Sequence, residues 1–144
     1  ALPLRPRKNP LLVLAPDFSQ VSELFTFEGG PRGPELMLKE IASSWGGIRL
    51  KRAPVQSTDL GSLKELVEQS EQIVFFCFEA RRFPGQNATL ELLKRTAPKR
   101  TVVCLIRSPW DREKLSKDMT ALDAKSYRLF SLRAAWKFIL GVKS

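Results

Sequence analysis

The sequence predicts an α/β fold in which a mainly parallel five-stranded sheet carries helices on both faces. Short apolar runs alternate along the chain with longer segments of helical periodicity. The runs are rich in Val, Ile and Phe and lack a period of two, which is typical of strands covered on both sides. Because parallel neighbours need a crossover connection, the helical segments between the runs fit a parallel sheet.

Apolar runs mark the predicted strands. Four of them lie at residues 11–15, 48–50, 73–78 and 101–106. Residues 126–130 are a weaker candidate for the fifth strand. Right-handed crossovers then predict a flavodoxin-like, doubly wound domain with strand order 2-1-3-4-5. We assign residues 1–10 to an N-terminal arm or linker and residues 11–144 to this single domain.

Apolar residues spaced by three and four positions mark the predicted helices. Three stripes are Leu38, Ile41, Ala42 and Trp45; Leu63, Leu66, Val67 and Ser70; and Leu132, Ala135, Trp136 and Ile139. Ser62 and Glu65 have the spacing of a capping box at the start of the second helix. Asn87 is the predicted cap of the third helix and Ser131 that of the last, which should end at Gly141.

Composition restricts the chemistry that the chain can perform. The 144 residues carry a formal net charge of +9 and 43% apolar residues, as expected for one globular domain. Histidine is absent. This excludes a histidine general base, nucleophile pairs that depend on histidine, and most zinc sites. We therefore expect no metal and no cofactor.

The two cysteines, Cys77 and Cys104, lie within apolar runs. We interpret them as buried thiols on the adjacent third and fourth strands, since reactive thiols need an electropositive and partly exposed setting. No apolar run approaches the roughly 20 residues that span a membrane. The chain shows no signal peptide, which favours a cytoplasmic location.

The positive charge raises the question of a polyanionic partner. The excess of Lys and Arg lies in the N-terminal arm and in the second half of the chain, where it is dispersed. Because no basic cluster is interleaved with aromatic residues, we do not expect specific nucleic-acid binding. A membrane partner is not expected either.

Ligands of a doubly wound sheet bind beyond the carboxyl ends of its strands, near the switch point between strands 1 and 3. Residues that follow strands 1, 3 and 4 are therefore the candidates for a substrate cleft or a domain contact. They are Asp17, Ser19, Glu79, Arg81, Arg82, Phe83 and Arg107. Guanidinium groups and aromatic rings are enriched at interfaces, so the loop from Glu79 to Gly85 is the first choice for a contact.

The sequence lacks the common catalytic and phosphate-binding motifs of such folds. Neither a Walker-type phosphate loop nor a dinucleotide fingerprint occurs, and no nucleophile elbow is present. A phospho-acceptor site would need an acidic cluster near strand 1 and an aspartate after strand 3 to hold Mg²⁺, but Asp17 and Glu79 are the only acids in those two places, and Arg81 and Arg82 oppose a cation. The same two acids could approach as a glycosidase pair, although pairing of Glu79 with a neighbouring arginine is the simpler interpretation.

Segments in the right order resemble the C-terminal domain of family 3 glycoside hydrolases, in the β-N-acetylhexosaminidase branch. The opening residues 2–4 and the first strand, residues 11–16, are similar to the start of that domain. Gly85-Gln86, the stretch at residues 101–111 that ends in Ser-Pro-Trp-Asp, and the closing helix at residues 131–141 are similar to later segments. The resemblance covers residues 2–141.

The resemblance implies a non-catalytic domain that packs on an N-terminal (β/α)8 barrel and helps to shape its active site, with carbohydrate at the domain interface. The family's aspartate nucleophile and the Asp–His pair of this branch belong to the barrel. In β-glucosidase relatives a glutamate from the C-terminal domain is the acid/base, but no position here matches that motif, so no catalytic role is assigned to any residue. The alternative is a free-standing flavodoxin-like module that binds an anionic ligand such as a nucleotide.

Overall fold

The computed structural model of the chain describes residues 2–5, 9–20, 32–44, 47–124 and 129–141. Its strands are β1 (Leu11–Pro16), β2 (Ile48–Ala53), β3 (Ile73–Phe78), β4 (Thr101–Ile106) and β5 (Thr120–Asp123). Its α-helices are α1 (Arg32–Ser44), α2 (Leu63–Gln69), α3 (Pro84–Thr96) and α4 (Leu129–Leu140). Short 3-10 helices span Phe18–Gln20, Pro98–Arg100 and Pro109–Lys114.

The five strands form one parallel sheet in the order β2-β1-β3-β4-β5, which confirms the predicted order and fold class. β1 and β3 are neighbours, with Val13 opposite Val74, so the strand order reverses between them. All six residues of β1, of β3 and of β4 are buried, whereas β2 and β5 at the edges are partly exposed. The central strands therefore carry the uninterrupted apolar runs seen in the sequence.

Two hydrophobic cores lie on opposite faces of the sheet. One packs beneath α1 and α4 and receives Phe76 of β3 and Trp136 of α4, whose ring centroids are 6.5 Å apart. The other packs beneath α2 and α3 and receives Phe75 of β3 and Leu90 of α3. Successive residues of β3 thus point to opposite faces, as the period of a strand requires. Of the described α-helices, α1 and α4 thus pack on one face of the sheet, and α2 and α3 pack on the other.

Both cysteines are free and buried, on the adjacent strands β3 and β4, as predicted. Cys104 belongs to the core beneath α1 and α4, and Cys77 to the core on the other face. Burial raises the pKa of the Cys104 thiol to about 12 and raises the pKa of the Cys77 thiol as well. Neither thiol is a nucleophile at neutral pH.

The prediction for the fifth strand is wrong. β5 lies at Thr120–Asp123, and residues 129 and 130 of the predicted strand already belong to α4, while residues 126–128 lie outside the described part of the chain. β5 has only four residues, each partly exposed, at the edge of the sheet. Such a short edge strand has too little apolar periodicity to stand out in the sequence.

The predicted helix starts also need correction. Ser62 precedes α2 but makes no side-chain capping bond; the turn is closed instead by Leu60, whose carbonyl accepts the amide of Leu63 at 3.1 Å. Asn87 lies inside α3, which begins at Pro84, because proline at the first helical position already has helical φ. Ser131 likewise lies inside α4, which starts two residues earlier.

The apolar stripes are confirmed in most positions. In α4, Leu132, Ala135, Trp136 and Ile139 are all buried. In α1 the buried residues include Leu38 and Ile41, but Ala42 is exposed, and Met37 is buried in its place. Trp45 lies outside the described residues. Gly141 follows α4 with φ +72°, a left-handed conformation that glycine adopts without strain, as predicted.

Part of the predicted N-terminal arm packs on the last helix. The amide of Leu4 donates to the carbonyl of Ile139 at 2.7 Å, and both Leu2 and Leu4 lie against the core beneath α1 and α4. Farther along, Asn9 donates from its side chain to Glu71 at 2.7 Å. The domain boundary at residue 10 stays a prediction.

Candidate functional site

The predicted site residues follow three neighbouring strands at the carboxyl edge of the sheet. Asp17 and Ser19 follow β1, the loop from Glu79 to Phe83 follows β3, and Arg107 follows β4. β1, β3 and β4 are adjacent, so their ends open on one side of the molecule. The structure joins Glu79 directly to Arg82 and Arg107, whereas the other candidates have different partners.

Asp17 and Ser19 bond to each other within a local turn. One carboxylate oxygen of Asp17 accepts the Ser19 hydroxyl at 2.5 Å and the Ser19 amide at 3.2 Å. The other oxygen accepts the side-chain amide of Gln20 at 3.2 Å. These bonds stabilise the 3-10 helix Phe18–Gln20, so both side chains serve as a turn cap.

Glu79 and Arg107 occupy strained backbone conformations at the ends of adjacent strands. Their φ values are +46° and +71°, in the left-handed region that residues with a Cβ rarely adopt. Each such residue costs on the order of 1 kcal/mol or more and persists only where the surrounding structure enforces it. Their side chains meet in an ion pair with Arg107 Nη1 at 3.9 Å from Glu79 Oε2.

The carboxylate of Glu79 lies between two arginines without a hydrogen bond to either. Its Oε2 atom is buried and is 3.8 Å from Arg82 Nη1 as well as 3.9 Å from Arg107 Nη1, distances too long for a hydrogen bond. Burial raises the pKa of Glu79, and the positive charge of Arg107 opposes that rise. The pairing of Glu79 with a neighbouring arginine, considered from the sequence, is thus confirmed for Arg82.

Aromatic rings pack against the two arginines that flank Glu79. Phe78 and Phe83 are stacked with centroids 5.6 Å apart, and Phe18 meets Phe78 edge-on at 6.2 Å. The guanidinium carbon of Arg82 lies 5.1 Å from the centre of the Phe83 ring, and that of Arg107 lies 5.9 Å from Phe78. These are cation–π distances. Phe83 is only 6% exposed, so its ring is part of the core and holds Arg82 in place.

Asp111 fixes the loop after β3 from one side. Its side chain is fully buried in the 3-10 helix Pro109–Lys114, and its two oxygens accept the backbone amides of Ala80 at 2.7 Å and Arg81 at 3.2 Å. Hydrogen bonds to a carboxylate are stronger than those between neutral groups. This residue, which the sequence analysis did not single out, therefore holds the loop in one conformation.

Gln86 fixes the same loop from the other side. It is fully buried in the first turn of α3, accepts the amide of Phe78 at 3.1 Å, and donates to the carbonyl of Pro54 at 3.0 Å. The adjacent Gly85 lies so close to the chain after β2 that a Cβ would be 2.3 Å from the Pro54 oxygen. Gln86 could have been identified from the sequence as a polar residue on the buried face of α3, because buried polar side chains need hydrogen-bond partners.

Arg81 and Trp110 are presented to solvent beside this framework. Arg81 Nη2 lies 2.5 Å from Glu113 Oε2 at the surface. Trp110 is 66% exposed, more than the other exposed large apolar side chains of the described residues, Leu36 and Phe138. The edge thus combines a rigid interior with exposed arginine and indole groups.

A cleft of about 410 Å³ lies beside the ends of β1 and β2. It is large enough for a small ligand and is lined by Asp17 and Asp59 together with Lys51 and Arg52. Arg52 is paired with Glu35 at 2.5 Å. Because carboxylates balance the cations, the cleft does not favour an anionic ligand.

Within the ranges described above, no group of three or more His, Cys, Asp or Glu side chains is arranged to hold a metal ion. No helix of the described part is long and apolar enough to cross a membrane. The chemistry at the carboxyl edge is that of ion pairing, cation–π contact and an exposed indole. These are the groups of a binding or packing surface.

The solved structures that the fold matches in part include the following two. One is a fungal multi-domain glycoside hydrolase family 3 β-N-acetylglucosaminidase, with TM-score 0.72 and 18% sequence identity over 97% of this chain and 15% of that one. The other is a glycoside hydrolase family 3 β-N-acetylglucosaminidase from Paenibacillus sp. str. FPU-7, with TM-score 0.72 and 22% identity over 100% of this chain and 27% of that one. No protein-family model and no curated protein matches the sequence. At these identities the similarity establishes the fold, and the chain spans only a small fraction of either neighbour.

Proposed function

We propose that this chain is the C-terminal domain of a family 3 glycoside hydrolase of the β-N-acetylglucosaminidase type and that it packs on an N-terminal (β/α)8 barrel. The observation that carries the proposal is the fold match over nearly the whole chain to a minor part of two such enzymes. The segments that resemble this family in the sequence support the same assignment.

In this proposal the domain helps to form the wall of the active-site cleft, and the barrel contributes the catalytic residues. The sequence contains no histidine, and the two thiols are buried with raised pKa values. Glu79, the acid at the switch point, is held between two arginines over an aromatic stack. The proposal therefore gives this carboxylate a structural role at the surface and no catalytic role.

The carboxyl edge of the sheet is the surface that faces the barrel in this proposal. Asp111 and Gln86 fix the loop after β3, and the exposed Arg81 and Arg82 extend from it. A preorganised surface lowers the entropic cost of domain packing. Arginines there form one wall of the substrate cleft and donate hydrogen bonds to carbohydrate hydroxyl groups at the interface.

The first test is hydrolysis of an aryl β-N-acetylglucosaminide by the chain of 144 residues alone. We expect no turnover above the uncatalysed rate, because the proposal places the nucleophile and the acid/base in the barrel. Activity that co-purifies with the chain and scales with its concentration would contradict this part of the proposal.

The second test measures KM in the full-length gene product and association between its separately expressed barrel and domain. Replacement of Arg81 and Arg82 by Ala should weaken association of the separately expressed barrel and domain about tenfold or more, a loss of about 1.4 kcal/mol, and should raise KM. Replacement of Arg95 and Lys99 by Ala removes the same charge from exposed positions away from that edge and is the matched control. Equal behaviour of the two double variants would refute the assignment of the interface, and a gene product without a barrel would refute the proposed function.

A further inference from the structure

Trp110 is the largest exposed side chain at the carboxyl edge. It is 66% exposed in the 3-10 helix Pro109–Lys114, which directly follows Arg107 and Ser108 at the end of β4. Its neighbour Asp111 is fully buried and bonded to the loop after β3. The backbone beside the indole is therefore fixed, although the indole itself has little packing. Isolated exposure of a tryptophan on rigid backbone is what a preformed contact residue requires.

The indole is continuous with the charged groups of the same edge. In a 3-10 helix, side chains three positions apart lie above one another, which aligns Trp110 with Glu113. Glu113 in turn pairs with Arg81 at 2.5 Å. The edge therefore presents the apolar Trp110 on the same 3-10 helix as Glu113, the partner of Arg81.

We propose that Trp110 is the anchor of the interface with the N-terminal domain, an inference that rests on the proposed function. Trp and Arg are the residue types that dominate the binding energy of interfaces, typically with an apolar anchor inside a charged rim. The partner surface should offer an apolar pocket for the indole and carboxylates opposite Arg81 and Arg82. Two chains with this fold contain it as 15% and 27% of their length, so the fold occurs together with other domains.

Incorporation of 5-fluorotryptophan and 19F NMR tests this inference directly. The Trp110 resonance is identified by its loss in Trp110→Phe, and its shift between H2O and D2O reports exposure. We expect a full solvent shift in the 144-residue chain and none in the full-length protein. In the full-length protein, Trp110→Ala should weaken the packing of the two domains, seen as at least tenfold faster hydrogen exchange of residues 79–83. Phe138→Ala, which removes a 61% exposed ring on α4, should leave that exchange unchanged.

The outcomes separate the two proposals. If the domains associate while Trp110 keeps its solvent shift, the anchor role is wrong and the proposed function stands. If the domains do not associate, or the gene product has no barrel, both are wrong. If N-acetylglucosamine oligomers remove the solvent shift in the isolated chain, the indole is a carbohydrate platform, which overturns its role as a domain anchor. Circular dichroism of each variant checks that an exposed residue was changed without loss of the fold.

Discussion

Arginines at the two edges of the sheet have different partners. At the amino edge, Arg100 directly precedes β4, and its guanidinium group donates to the backbone carbonyls of Ser70, at the end of α2, and Thr96, at the end of α3. At the carboxyl edge, Arg81 pairs with the exposed Glu113 and Arg82 with the largely buried Glu79, and both arginines are about half exposed. The same residue type closes helix ends at one edge and forms a surface at the other.

This difference explains why the charge of +9 does not by itself define a binding site. An arginine that satisfies carbonyl groups at helix ends is part of the scaffold. An arginine that is held at the surface by a buried neighbour, as Arg81 is by Asp111, can meet a partner without further ordering. The following predictions test that contrast, from the largest effect to the smallest.

Asp111→Ala should cause the largest loss of stability, about 3 kcal/mol, because it leaves the buried amide of Ala80 and the part-buried amide of Arg81 without their charged acceptor. Urea unfolding measures the loss. Asp118→Ala, at an exposed position, is the control and should change the free energy of unfolding by less than about 0.5 kcal/mol. A loss below about 1 kcal/mol for Asp111→Ala would mean that the loop does not depend on this carboxylate.

Arg100→Ala should cost about 2 kcal/mol, since carbonyl groups at two helix ends lose a charged donor. Arg95→Ala removes an exposed guanidinium from the end of α3 and should have little effect on unfolding. If the two variants unfold alike in urea, the scaffold role of Arg100 is wrong.

Arg81→Ala and Arg82→Ala should each change the stability of the chain by less than about 1 kcal/mol, because an ion pair of a half-exposed arginine contributes little to folding. Thermal unfolding at low and at high salt measures these effects. A loss equal to that of Arg100→Ala would erase the distinction between the two edges.

Glu79→Gln should change the dependence of stability on pH. Burial raises the pKa of Glu79 above its ordinary value of 4.5, so the folded state binds the proton more tightly than the unfolded state. This contribution to stability is present below pH 4.5 and is lost as the pH rises through the raised pKa. Relative to the wild type, Glu79→Gln should therefore gain stability as the pH rises through that window. Parallel pH profiles of the two proteins in urea unfolding would contradict the prediction.

The three central strands and the strand order could be predicted from the sequence, because buried parallel strands leave uninterrupted apolar runs such as Ile73–Phe78. The edge strand β5 was missed, because its four partly exposed residues leave no such run. The helix starts were predicted less well. Asn87 has the side chain of a typical helix cap, but it lies inside α3. There its side-chain Oδ1 accepts a hydrogen bond from Lys114 Nζ at 3.0 Å. Local preference is overridden where packing decides the boundary.

The sequence predicted where the candidate residues lie in the fold but not which contacts hold them there. Strand order alone places Glu79 and Arg107 at one edge. The role of Asp111 depends on a backbone amide 30 residues away in the chain, which a local sequence pattern does not reveal. Gln86 also bonds to a carbonyl 33 residues away, so its sequence position suggests burial but not its partner. The exposure of Trp110 was equally hidden, since an aromatic residue after an apolar strand is more often buried than presented.

Hydrogen–deuterium exchange of the 144-residue chain and of the full-length protein tests the central claim most directly. If the carboxyl edge packs on the barrel, residues 79–83 and 107–114 exchange more slowly in the full-length protein, whereas residues 70–72 and 98–101 at the amino edge exchange at equal rates in both. Slower exchange confined to the amino edge, or equal exchange at both edges, would contradict the claim that this domain packs through the carboxyl ends of its strands.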